Sequence, residues 1–240
     1  MDPRFFFEGE LRAGEILELP EDAARHARVL RLREANGVVL FNGRGGEFHG
    51  IAVSISRSEV QVKITSWKNV ERESPLDVTL AQGISSGEKM DYTVQKAVEL
   101  GVAAVRPLLC EKSVVRLDGK RAAARVAHWR RVAIAACEQC GRNRIPAILE
   151  PVTVGEFDAG AKSLHLLLAI QGGKKIRDVE IRPDQSIVLA AGPEAGFSAA
   201  ETKALLQDGF APVTLGPRVL RTDTAALAAL AALNALRGDS

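Results

Sequence analysis

Aromatic side chains are scarce in this chain: eight Phe, two Trp and one Tyr make up 5% of 240 residues. So few rings argue against a binding surface built chiefly on aromatic stacking. Cysteine is scarcer still, with three, an odd number that gives no disulfide framework. The pair in "CEQC", Cys137 and Cys140, has the spacing of half a zinc site. It has no second pair, and His26, His49, His128 and His165 stand at no ligand spacing to it, so no metal is expected. No apolar run reaches the length of a membrane span. The opening "MDPRFFFEGE" is charged too early for a secretory signal. A reduced, cytoplasmic protein with no membrane contact is expected. Charge imbalance is lacking too: 32 Lys and Arg against 30 Asp and Glu leave +2. Any polyanion partner must therefore be read from how the charge is distributed.

Two rhythms divide what is there. Residues 1 to about 70 read as short strands with one helix. "GEILELP" and "GVVLF" are apolar strands, "SEVQVKITSW" alternates with period 2, and Asn42-Gly43 suits a tight hairpin turn. "PEDAARHARVLRLR" opens with Pro and two acids, as a helix does. A small β-barrel is expected there, ending at the polar segment "KNVERESP". From residue 76, continuously apolar strands ("LDVTLAQGI", "VAAVRPLLC", "IPAILEPV", "SLHLLLAI", "QSIVLAAG", "APVTLG") alternate with helices. That pattern predicts an α/β domain whose parallel sheet is covered on both faces. The boundaries expected are 1–72 and 73–240.

Ligands in such sheets bind at the carboxyl ends of strands. Three glycine-containing loops leave strands of the second domain: "LLLAIQGG", "LAAGPEAGFS" and "LGPRVLRTDT". Any one would be an ordinary turn; three at one end of a sheet favour a ligand pocket. No G-x-G-x-x-G is present, and "GISSGEK" has the wrong spacing for a P-loop, so neither a dinucleotide nor a nucleoside triphosphate is favoured.

"KAVELGV", "EQCGR", "GPEAGFS" and "LGPRVLRTDTA", in that order, resemble the bacterial 16S ribosomal RNA (uracil-N3) methyltransferases of the SPOUT class. "HARVLRLR" and "FNGRGGEFHG" are similar to that family's PUA-like RNA-binding domain. The chain departs from the family at Ala195, usually Gly, and Asp223, usually Glu. The resemblance implies S-adenosylmethionine as cofactor, a C-terminal trefoil knot, a homodimer, and 16S rRNA in the small ribosomal subunit as substrate. It also implies that Leu168, Ala169, Ala191, Gly192, Glu194, Gly196, Leu215, Gly216, Leu220 and Thr222 bind the cofactor. N3 of uracil must lose a proton, for which Glu138, Asp223 and Glu99 are candidate bases. Alternatively a cation, Arg142 or Arg221, stabilises negative charge on the uracil oxygens, and this reading is preferred. Glu138 could equally pair with Arg142 on the helix, and Thr222 or Asp223 could cap the last helix.

Basic residues cluster independently of the resemblance. Residues 106–145 hold ten Lys and Arg against three acids, and Arg25, Arg28, Arg31 and Arg33 form a second group. Such blocks are usually solvated surface, but two in a near-neutral chain lean toward a phosphate track. Arg4, Arg25, Arg28, Arg31, Arg33, Arg116 and Arg218 are the expected RNA contacts. A catalytically inactive RNA-binding protein of the same fold is the alternative, and a small-molecule α/β enzyme would not need the basic blocks. The final helix, almost all Ala and Leu, has no charged face. Leu227, Leu230, Leu233, Ala226 and Ala229 should face their own sheet, and Ala225, Ala228, Ala231, Ala232 and Ala235 a second copy.

Overall fold

A computed structural model describes residues 2–115 and 117–239. The chain forms two compact units, Met1–Glu73 with Ile134–Ile145, and Ser74–Ala133 with Pro146–Ser240.

The first unit contains β1 (Arg4–Phe6), β2 (Ile16–Glu18), α1 (Glu21–Val29), β3 (Gly37–Phe41), β4 (Glu47–Ile55) and β5 (Val60–Lys68). They form one sheet in the order β1-β3-β4-β5-β2. The β1–β3 pair is parallel and the others are antiparallel. Val60, Val62 and Ile64 of β5 point inward with period 2. They join Phe5, Val38, Leu40 and the alanines of α1, Ala23, Ala24 and Ala27, in one core. Small residues on that helix face let it lie close to the sheet. Here β1 and β2 are the edges, three residues each, and do not pair with each other. The backbone ladder is therefore open between β1 and β2 among the described residues. The Asn42-Gly43 turn is also wider than expected: five residues separate β3 from β4, and Gly43, Gly45 and Gly46 all take positive φ. Helix α1 stops at Val29, and Arg31 has φ 56°, so Arg31 and Arg33 lie beyond the helix.

The second unit contains β6 (Val78–Gly83), α2 (Gly87–Glu99), β7 (Ala104–Leu109), the first part of α3 (Gly119–Cys140), β8 (Ala147–Ile148), β9 (Val152–Thr153), β10 (Leu164–Leu168), β11 (Lys174–Lys175), β12 (Ile187–Ala191), α4 (Ala199–Gln207), β13 (Ala211–Thr214) and α5 (Thr222–Arg237). All strand pairs are parallel, in the order β11-β13-β10-β12-β6-β7-β8, with β9 also on β7. "IPAILEPV" is two short strands, because Pro151 has no N–H to continue the ladder. One face of the sheet buries Leu108, Phe157, Leu167, Leu205 and Phe210. Helices α2 and α5 pack together, and α5 buries Ala226, Ala229, Leu230, Leu233 and Asn234. Leu227 is only half-buried, and Asn234 takes the inward place because its Nδ2 donates to Leu100 O at 2.7 Å. Helix α4 is fixed at its start by a capping box. Ser198 Oγ accepts from Glu201 N–H at 3.1 Å, and Glu201 Oε2 accepts from Ser198 N–H at 2.7 Å.

Candidate functional site

The carboxyl ends of β10, β12 and β13 and the start of α5 line an open cavity. All ten residues that the family resemblance assigned to a cofactor line it. Leu168 ends β10 and Ala169 follows it; Ala191 ends β12 and Gly192, Glu194 and Gly196 follow it; Leu215, Gly216 and Leu220 lie between β13 and α5, which Thr222 begins. Ile170, Pro193, Val219 and Ala225 complete the lining, with Arg218 and Arg221. Apolar side chains with backbone groups from three loops suit a flat heterocycle with a polar tail. Loop 192–197 is folded tightly on itself: a Cβ on Gly192 would lie 2.9 Å from Phe197 N and 3.0 Å from Gly196 Cα. Only glycine allows this approach.

Glu194 does more than line the cavity. Its Oε1 accepts from Ser86 N–H at 3.0 Å, Ser86 Oγ–H at 2.9 Å and Lys89 Nζ at 3.3 Å. Burial lifts its pKa, but these bonds at the start of α2 outweigh burial and hold it at about 2. The carboxylate thus ties the pocket loop to α2. Gln82, buried at the end of β6, ties the same loop to α5. Its Nε2 lies 3.3 Å from Gly192 O and 3.1 Å from Thr222 Oγ1. Sequence reasoning named none of Gln82, Ser86 and Lys89. The available signal was an amide, Gln82, near the end of a strand with buried apolar neighbours. Thr222 does not cap α5: the N-cap is Arg221, without a side-chain bond, and Thr222 Oγ1 donates to Gly192 O instead. Asp223 stands outside the lining, and its Oδ1 is buried with no partner among the described residues.

The other sequence-assigned residues lie elsewhere. Arg142, in the first unit, is 4% exposed, and its Nε and Nη2 both donate to Glu73 Oε2. Glu138 accepts from Phe6 N–H at 3.0 Å and faces His26 Nδ1 at 3.3 Å, so the pairing expected with Arg142 is replaced by one with His26. Burial raises the Glu138 pKa. Glu99 pairs with Lys96 on α2 at 2.8 Å. Arg4 is not a surface cation: it is buried, bridging Glu47 at 2.8 Å and Asn143 at 2.6 Å. A guanidinium so enclosed cannot meet a phosphate, which removes it from the RNA-binding set. Arg25 pairs with Glu21 and Asp22 on α1, so it is not a free cation. Arg28 is half-buried with Nη1 unpartnered among the described residues, while Arg31, Arg33 and Arg218 are exposed. Arg116 lies outside the described residues. Cys137 is buried, which pushes its thiol up to about 12. Among the described residues no group of His, Cys, Asp and Glu could hold a metal, and no helix is long and apolar enough to cross a membrane.

Residues 72–234 match the family described as RNA methyltransferase domain. The chain belongs to that family. Residues 19–65 match its companion, the RNA methyltransferase PUA domain. Among similar RNA methyltransferases, ribosomal RNA small subunit methyltransferase E of Buchnera aphidicola subsp. Acyrthosiphon pisum is 32% identical over 99% of this chain and 94% of its own. A Legionella pneumophila methyltransferase solved with bound SAM is 41% identical, with TM-score 0.95 over 100% of both chains. The Neisseria gonorrhoeae ribosomal RNA small subunit methyltransferase E, bound to S-adenosyl methionine, is 38% identical, with TM-score 0.92 over 100% of this chain and 99% of that one.

Proposed function

We propose that the protein methylates N3 of a uridine in 16S ribosomal RNA of the small subunit, using S-adenosylmethionine held in the three-loop cavity. The observation that carries this reading is the convergence of all ten expected cofactor residues on that one cavity. The cofactor supplies an activated methyl group; the chain's part is to hold it and the uracil in line, which accounts for much of the barrier. Arg221 is exposed and lines the same cavity, so it is the cation that meets charge developing on the uracil oxygens. Arg142 and Glu138 are occupied inside the first unit, and Asp223 remains the second choice, as a base. The first unit holds RNA, with Arg28, Arg31 and Arg33 on phosphates and Arg218 contributing from the cavity rim, and the second carries the transfer; the expected division at 72/73 is corrected by residues 134–145, which belong to the first unit.

The same reading includes a trefoil knot and a homodimer. β13 lies between β10 and β11, although those two are joined by only residues 169–173. A strand inserted between two that are so shortly linked supports a threaded C-terminal segment. The homodimer rests on the exposed alanine face of α5, and the place of action is the cytoplasm.

The test is mass spectrometry of 16S rRNA nucleosides after incubating unmodified small subunits with the protein. 3-Methyluridine should form with the wild type. Arg221→Ala should lower kcat by about 10²–10³-fold while binding cofactor normally. A wild-type protein that binds the subunit and forms no methylated nucleoside would identify an RNA-binding protein without catalysis.

A further inference from the structure

We infer that Gln82 is a positioning residue that sets the spacing of the two walls of the cofactor cavity; the inference rests on the cofactor reading above. Gln82 is 1% exposed, one residue before the end of the central strand β6. An apolar residue there would avoid the cost of burying an amide. The amide's place is explained by what its nitrogen meets. Nε2 lies 3.0 Å from Gly83 O, 3.3 Å from Gly192 O and 3.1 Å from Thr222 Oγ1. Carbonyl oxygens only accept, so the NH₂ end must face this cluster, and the chemistry fixes the amide's orientation. The Thr222 hydroxyl gives its own proton to Gly192 O and receives from Gln82. Gln82, Gly192 and Thr222 therefore form a closed triangle of donors and acceptors.

Gly192 and Thr222 belong to opposite walls, the loop after β12 and the start of α5, and both line the cavity. Gln82 does not line it. It acts through the other two, holding the loop against the helix before any ligand arrives. Its Oε1 is buried with no partner among the described residues. The donor contacts, and not the acceptor, account for the side chain's place. Walls fixed in advance spare the cofactor the cost of ordering them.

The full-length protein tests this by calorimetric titration with S-adenosylmethionine. Folding of each variant is checked by circular dichroism. Gln82→Met keeps length and volume but has no donor, and should bind about tenfold more weakly. Gln82→Glu places a carboxyl against carbonyl oxygens in a buried site, which raises its pKa. Protonated at pH 6, it keeps one O–H donor and should bind several-fold more tightly than Gln82→Met. That advantage should vanish as pH rises and the carboxylate repels Gly192 O. The wild type should show no such pH-dependent change relative to Gln82→Met. The inference is overturned if folded Gln82→Met binds like wild type, or if Gln82→Glu at pH 6 binds no better than Gln82→Met. Leu220→Glu, a change in the lining itself, separates the two ideas. If it binds like wild type, the cavity is not the cofactor site. If it loses binding while Gln82→Met does not, only the role of Gln82 fails.

Discussion

Glu47 shows how one carboxylate can organise a cluster of cations. It is 5% exposed and accepts from Arg4 at 2.8 Å and from Arg72 at 3.0 Å. Burial raises its pKa, but the hydrogen bonds and charges of Arg72 and Arg4 overcome burial and bring it to about 2. A folded pKa below the unfolded value means stability that is fully present above the unfolded pKa. It is lost as pH falls toward 2. From a drop of this size the contribution is on the order of 3 kcal/mol. Glu47→Gln would also leave the buried Arg4 without its counter-charge, a change that typically costs about 3–5 kcal/mol. Urea denaturation at several pH values between 5 and 2 should show a flatter decline for Glu47→Gln than for wild type. Parallel declines would mean that Glu47 does not carry this pH dependence.

At the scale of elements, the cavity exists because a strand end and a loop approach more closely than side chains permit. Gly83 ends β6, and a Cβ there would overlap the backbone of Pro193 and lie 2.8 Å from Gly192 C. Backbone cannot yield as a flexible side chain does, so overpacking of about 1–3 kcal/mol is expected for Gly83→Ala. The loop would be displaced from the cavity wall, and S-adenosylmethionine binding should weaken along with thermal stability. Gly155 is the matched control: it has ordinary φ, and a Cβ there meets nothing within 4 Å. Gly155→Ala should leave both unchanged. If Gly83→Ala melts and binds like Gly155→Ala, the close approach is not what shapes the wall.

At the scale of the molecule, α5 presents a face that one subunit does not cover. Ala231 and Ala235 are exposed, Leu236 is 36% exposed, and Ala225, Ala228 and Ala232 are half-buried. Small side chains allow a second helix close approach, and no charge on that face competes for water. Because Ala231 is exposed in the single chain, Ala231→Glu should not disturb the fold of one subunit. It should disrupt a dimer, since an unpaired charge would be buried there. Light scattering at micromolar concentration should give a dimer for wild type and a folded monomer for Ala231→Glu. A monomeric wild type would refute the homodimer.

The alternation of apolar strands with helices determined the parallel sheet of the second unit, because burial on both faces leaves a continuous apolar pattern in each strand. Glycine-containing loops after three of those strands marked the cavity, since ligand sites lie at carboxyl ends of parallel strands. The Ser198–Glu201 box fixed the start of α4 within four residues of chain. The strands β1 and β11 are too short to show a period, and neither was legible. Charge partners were not legible either. Arg4 meets Asn143 across 139 positions of sequence, and Gln82 meets Thr222 across 140. A cation bound for a buried network and one bound for solvent look alike in sequence, because both are an Arg beside apolar residues. Only the folded chain decides which carboxylate stands opposite, and so which arginines remain free to meet RNA.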